Sequence, residues 1–243
     1  MKRLILFVLI LCPFFAQAFM PDDEIAVLQK ATSGWDVGDR VAFWAEQFIG
    51  VPYDTDPLGD YVRRNIIVAD ERVDCMYLTF RTLELALGKD PEESVALALD
   101  KRFPGKGIVE NGNVLNYPDR FRYGEDMIES GKWGREITAE LRDTVSVKGS
   151  RGRKRVFMIA KQGIPGVLDQ LRNGDIIFFV KAPEKRTDKE IIGHIGIIKR
   201  EGDTVYLISA FGQKNKGGMV KKLLFSDYSA EMPFVGIQVT RLD

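Results

Sequence analysis

The stretch Val73-Asp-Cys-Met-Tyr-Leu-Thr-Phe-Arg-Thr-Leu-Glu-Leu-Ala-Leu-Gly88 places Met76, Phe80, Leu83 and Leu87 at i, i+4, i+7 and i+11. That is the spacing of one apolar helix face. Asp74 is a good N-cap residue and Gly88 a good stop, so the pattern predicts a helix that begins at Cys75. The thiol then lies in the first turn, where unpaired N–H groups and the helix dipole favour an anion and lower a cysteine pKa. A nearby Asp74 carboxylate acts in the opposite direction.

The rest of the sequence gives this thiol its weight. Lys2 and Arg3 precede an apolar run over residues 4–10, and Ala16-Gln-Ala18 is a small-x-small site. This reads as a secretory signal peptide cut after Ala18, with export to the periplasm or the extracellular space. The run is too short for a membrane helix. Cys12 leaves with the signal. A lipoprotein cut before Cys12 is the rival, but Leu11 is not the small residue that cut needs. One cysteine, Cys75, and one histidine, His194, then remain. A single thiol cannot form an internal disulfide, and in an oxidising compartment it needs a reason. Burial as a small hydrophobe is the ordinary one.

Without residues 1–18 the chain has 225 residues, enough for one domain with a full core, and about two more acidic than basic residues. Such a balance excludes the basic footprint that nucleic-acid binding requires. No repeat or low-complexity stretch is present, and no cofactor or metal is expected. Five basic residues fall between Lys148 and Arg155. A solvated loop is the usual explanation, and a rim that attracts a carboxylate-rich substrate is the sharper one.

Helical spacing recurs over residues 24–30 and 38–50. Residues 89–155 are less regular, with short helical pieces at 126–128 and 137–141, and read as a helical insertion. The last ninety residues read as a sheet. Asn173-Gly-Asp175 turns into a strand at 176–180. A strand at 194–199 returns through Glu201-Gly-Asp203 as a hairpin over 204–210, and 235–240 closes the sheet. His194 therefore opens a strand, and Ser209 on the returning strand can sit beside it.

A cysteine nucleophile needs a base, and imidazole suits because its pKa lies near neutrality. Only His194 is available. A third group normally holds the imidazole in one tautomer, and Ser209 is the candidate. A lone strand histidine is otherwise more often structural.

Four stretches resemble the NlpC/P60 family of papain-like cell-wall hydrolases, nearest its N-acetylmuramoyl-L-alanine amidase-like branch, DUF1460. They are Phe48-Ile-Gly-Val-Pro-Tyr53, Val73-Asp-Cys-Met-Tyr-Leu-Thr-Phe80, Asn173-Gly-Asp-Ile-Ile177 with Gly193-His-Ile-Gly-Ile197, and Asp227-Tyr228 with Gly236-Ile-Gln-Val239. Pro118-Asp-Arg-Phe-Arg-Tyr123 is similar to a Ser-Arg-Leu-His-Tyr stretch of the branch. The set spans about residues 40–243 in the family's order. The resemblance implies one α+β, papain-like domain over 19–243, with the cysteine helix packed on an antiparallel sheet. It implies Cys75 as nucleophile, His194 as base and Ser209 as third residue, with Tyr53 and Asp74 lining the site. Packing and capping explain Tyr53 and Asp74 equally well. Ser209 stands where the branch usually has histidine, Met76 and Tyr77 where it has two threonines, and Arg122 where its motif has histidine.

By resemblance the substrate is peptidoglycan or its fragments, cut at the muramoyl–L-Ala amide or, as the alternative, between γ-D-Glu and the diamino acid. A lipid acyl hydrolase or acyltransferase on the same fold, a non-catalytic muropeptide-binding module and a structural exported protein stay open.

Overall fold

The computed structural model describes residues 19–242. The expected signal peptide and Cys12 lie outside them. Helices α1 (Asp22–Thr32) and α2 (Val37–Gln47) precede the one-turn α3 (Asp60–Arg63), α4 (Cys75–Leu87) and α5 (Pro91–Lys101). Strands β1 (Val109–Glu110) and β2 (Asn113–Val114) pair with each other. Then come α6 (Gly124–Ser130), β3 (Arg135–Glu136), β4 (Thr144–Lys148) and β5 (Arg155–Ala160). The chain ends with β6 (Ile176–Val180), β7 (Ile192–Glu201), β8 (Thr204–Gln213), β9 (Gly217–Leu224), α7 (Phe225–Glu231) and β10 (Gly236–Arg241).

The result is an α+β fold built on one antiparallel sheet in the order β4-β5-β10-β6-β7-β8-β9, with β3 pairing at the far end of β10. The central strand β6, Ile-Ile-Phe-Phe-Val, is buried at every position. Successive side chains of a strand point to opposite faces. Accordingly Ile176, Phe178 and Val180 join a core with Phe80 and Leu83 of α4 and Val41 and Trp44 of α2. Ile177 and Phe179 join a second core with Phe225, Met232 and Val239. The β7–β8 turn has Gly202 at φ +58°, the positive φ that a two-residue hairpin turn needs at its first central position. Asp175, from the Asn-Gly-Asp turn, is fully buried and receives two hydrogen bonds from Arg241, Nε and Nη2, each at 2.7 Å.

Beyond β9 the chain adds a further pairing. Gly50 N–H donates to Val220 O, Val220 N–H to Val51 O and Tyr53 N–H to Gly218 O, at 2.9–3.0 Å. Residues 50–53 therefore seal that edge of the sheet. Tyr53 next bridges to Val73, the residue before Asp74. The Gly-Val-Pro-Tyr segment thus ties the sheet edge to the start of the cysteine helix.

One local expectation is corrected, and two features lie beyond the sequence reading. Residues 89–155 hold α5 and α6 but also β1, β2, β3 and β4, because the five-residue ladder of β4 on β5 extends the main sheet. Strand β9 was not expected. Its Gly217-Gly218 start and its Lys221-Lys222 pair break apolar alternation, as near-edge strands commonly do. Helix α4 has no solvent face: Tyr77 through Ala86 are all buried. Its polar side is covered by α5 and the 61–70 segment. Glu84 meets Arg102 in a two-point ion pair, Nε–Oε1 2.6 Å and Nη2–Oε2 2.7 Å, with both side chains at 0% exposure. Arg81 Nε donates to both Asp70 oxygens, and the Tyr77 hydroxyl donates to Asp70 Oδ1 at 2.8 Å. Among the described residues no helix is long and apolar enough to cross a membrane.

Candidate active site

Helix α4 begins at Cys75 because Asp74 caps it. The Tyr77 N–H donates to Asp74 Oδ1 at 2.8 Å, and the Leu78 N–H to the Asp74 carbonyl at 2.9 Å. The Cys75 and Met76 N–H groups are left without intrahelical acceptors, as the first helical turn requires. The other Asp74 oxygen accepts from Lys214 Nζ at 3.1 Å. Lys214 also donates to the Asp54 carbonyl at 3.2 Å and sits 5.5 Å from the Tyr53 ring centre. Sequence reasoning missed Lys214. It lies in the β8–β9 turn, and its only signal was that it follows Ser209 by five residues, just past the end of β8.

His194 and Ser209 face each other across the β7–β8 hairpin. The register that pairs Ile197 with Ile208 brings Ser209 to the diagonal neighbour of His194. Ser209 Oγ lies 3.0 Å from His194 Nε2 and 2.6 Å from the Ile195 carbonyl oxygen. A hydroxyl has one proton. The carbonyl can only accept, so Ser209 donates to Ile195 and accepts from a protonated Nε2. That arrangement leaves Nδ1 of the neutral ring as the free base. Aromatic rings surround the imidazole: Phe234 stacks on it with planes 4° apart, and Phe179, Phe211 and Tyr228 lie 5.4–6.4 Å from it, centre to centre.

Cys75, His194, Asp74 and Tyr53 line one cleft of about 460 Å³, which Ile195 also lines. The structure thus brings all five sequence-predicted site residues to one place, Ser209 reaching it through His194. Tyr53 fits against β8 because residue 212 is glycine: a Cβ there would meet the Tyr53 ring at 2.3 Å.

Burial decides the balance that the helix start and Asp74 leave open in the sequence. Burial pushes the Cys75 thiol up to about 12 and the Asp74 carboxylate adds to it, while the Ile195 N–H, the Lys214 ammonium and the Cys75 N–H pull it back. Burial likewise pushes His194 down to about 4, with Asp74 acting against it. Both directions favour a neutral thiol and a neutral imidazole in the resting cleft, so that a proton passes to the base as sulfur attacks. Below its pKa a thiol gains thiolate tenfold per pH unit. Alkylation of Cys75 by iodoacetamide is expected to accelerate continuously from about pH 6 to about pH 9. A plateau beginning below neutrality would instead reveal a preformed thiolate–imidazolium pair.

Ser209→Ala removes the acceptor of Nε2–H and leaves the Ile195 carbonyl without its buried donor. The expected outcome is a kcat lower by roughly tenfold to a hundredfold, milder than His194→Ala because the ring itself survives. Steady-state kinetics of both variants provide the check, and a loss in Ser209→Ala as deep as in His194→Ala would make Ser209 essential.

No protein-family model and no curated protein matches the sequence. Solved structures do. An N-acetylmuramoyl-L-alanine amidase from Bacteroides uniformis superposes with a TM-score of 0.65 at 20% identity, covering 84% of this chain and 98% of that one. A Legionella pneumophila protein of the DUF1460 family gives 0.66 at 15% identity, over 90% and 93% of the two chains. A proposed xylanase from Bacteroides fragilis gives 0.61 at 18% identity, over 83% and 100%. At such identities the likeness shows a shared α+β fold and nothing finer.

Proposed function

We propose that this chain is an exported cysteine hydrolase of peptidoglycan fragments, of the papain-like NlpC/P60 type, that cleaves the N-acetylmuramoyl–L-alanine amide bond. The observation that carries the chemistry is the hydrogen-bond relay Ile195 carbonyl, Ser209 hydroxyl, His194 Nε2, in the cleft that holds Cys75 at a helix start. The choice of bond is supported by the fold shared with the Bacteroides uniformis amidase and by the motif resemblance.

In this reading His194 Nδ1 takes the Cys75 proton as sulfur attacks the lactyl carbonyl, and the tetrahedral oxyanion is held by backbone N–H groups at the α4 start, that of Cys75 included. The imidazolium then protonates the departing L-Ala nitrogen, which leaves a thioester. Water, deprotonated by His194, releases the muramic acid and restores the thiol. The pKa directions favour this transfer of the proton during attack over a standing ion pair. A signal peptide over 1–18 would deliver the protein to the compartment where this substrate lies.

The test is mass spectrometry of muropeptides, with and without the anhydro sugar, incubated with the mature protein. Release of free stem peptide supports the amidase reading. Cleavage between γ-D-Glu and the diamino acid would replace it with the endopeptidase reading. No cleavage of any muropeptide would direct attention to another acyl substrate or to a binding module.

A further inference from the structure

The cleft that holds Cys75 has charged walls, and most of those charges cancel within the protein. Asp74 is paired with Lys214, and Glu190 with Lys181. Two lining charges are left, Arg120 and Arg122, both positive and both on one segment. Arg120 donates one guanidinium N–H to the Tyr117 carbonyl at 3.0 Å, which fixes its stem and leaves its other nitrogens available. Arg122 is exposed and, among the described residues, has no hydrogen-bond or ion-pair partner.

The same segment also walls a neighbouring hollow of about 570 Å³, so Arg120 and Arg122 stand on the ridge between the two cavities. The charges of that second hollow are largely used. Arg151 pairs with Glu125 and Asp126, and Glu129 with Arg153. Lys132 donates to the carbonyls of Asp100, Phe103 and Gly105. The basic run from Lys148 to Arg155 is therefore partly consumed inside the fold. The free guanidinium that a substrate meets is that of Arg122.

We propose that Arg122, flanked by Arg120, binds a substrate carboxylate one residue beyond the scissile amide. A guanidinium offers two parallel N–H groups that match a carboxylate. The placement rests on the amidase reading: in a stem peptide joined through its γ-carboxyl, the second residue keeps a free α-carboxylate at that distance. Arg122 stands where the resembling branch has histidine, so this recognition belongs to this chain's own sequence.

Two assays separate the subsite from the amidase reading. In the first, kcat/KM is measured on muropeptides whose second residue is D-glutamate or its α-amide. Wild type is expected to favour the acid by about tenfold, Arg122→Gln to lose that preference, and Arg122→Lys to keep part of it. In the second, no turnover is needed: iodoacetamide alkylation of Cys75 is followed with the free tripeptide L-Ala-γ-D-Glu-L-Lys or its α-amide present. The acid is expected to slow alkylation of wild type at concentrations where the amide does not, and Arg122→Gln to abolish the difference. Acid-selective protection without turnover would keep the subsite and overturn the amidase reading. Equal behaviour of acid and amide in both assays overturns the subsite whatever the turnover, as does protection by inorganic phosphate equal to that by the acid.

Discussion

Cys75→Ala is expected to abolish muropeptide cleavage while leaving the melting midpoint within a few degrees of wild type. Removing a nucleophile costs on the order of a millionfold in kcat when nucleophile and base act as a unit. For the same reason Cys75→Ala combined with His194→Ala should be no slower than either single variant. Stability should be nearly untouched, because the thiol is small, only partly buried and at the first helical position, where alanine is well accommodated. Chromatography of the products with mass detection, paired with thermal melts of each variant, reads both halves. Cleavage retained by the folded alanine variant would overturn the cysteine mechanism.

The largest stability effect is expected at Glu84→Ala. The substitution leaves the fully buried Arg102 guanidinium without its carboxylate, bonded to the Ile67 carbonyl at 2.7 Å and lying 4.8 Å from the Tyr77 ring centre. Breaking a buried pair by removing one partner costs about 3–5 kcal/mol, since the remaining charge is uncompensated. Urea denaturation should show the midpoint falling with an unchanged slope. Replacing both partners with leucine should recover much of the loss, because an apolar pair leaves no charge to solvate. A shift below about 1 kcal/mol in the alanine variant would mean that water reaches Arg102.

How much of this was legible in the sequence differs residue by residue. The start of α4 was, because the Asp74 cap and the apolar spacing behind it are local signals. Strand β6 was legible to the residue, as its five apolar residues follow a Gly-Asp turn. The meeting of His194 and Ser209 followed from a short hairpin turn that sets the register. Lys214 was hidden because its contact with Asp74 joins positions 140 residues apart. The buried face of α4 was hidden too. Arg81 and Glu84 carry no local signal of burial, and only the partners Asp70 and Arg102, brought in by other segments, make it tolerable. The direction of the Cys75 pKa was equally out of reach, since the helix start and the depth of the cleft oppose each other and only the fold sets the depth.

The seal that residues 50–53 place over β9 also bears on self-association. An unpaired strand edge is a template for another chain, and with that side covered the open flank of the sheet is β4, beyond which no further strand pairs among the described residues. Val145 on β4 and Phe157 on β5 are exposed there, at 43% and 56%. What opposes stacking of one copy on another is the shortness of β4, five residues, and the lysine at its end. The flank that a concentrated preparation must keep soluble is thus remote in strand order from the edge that anchors the cysteine helix, and charged substitutions at Val145 or Phe157 can improve solubility without reaching the cleft.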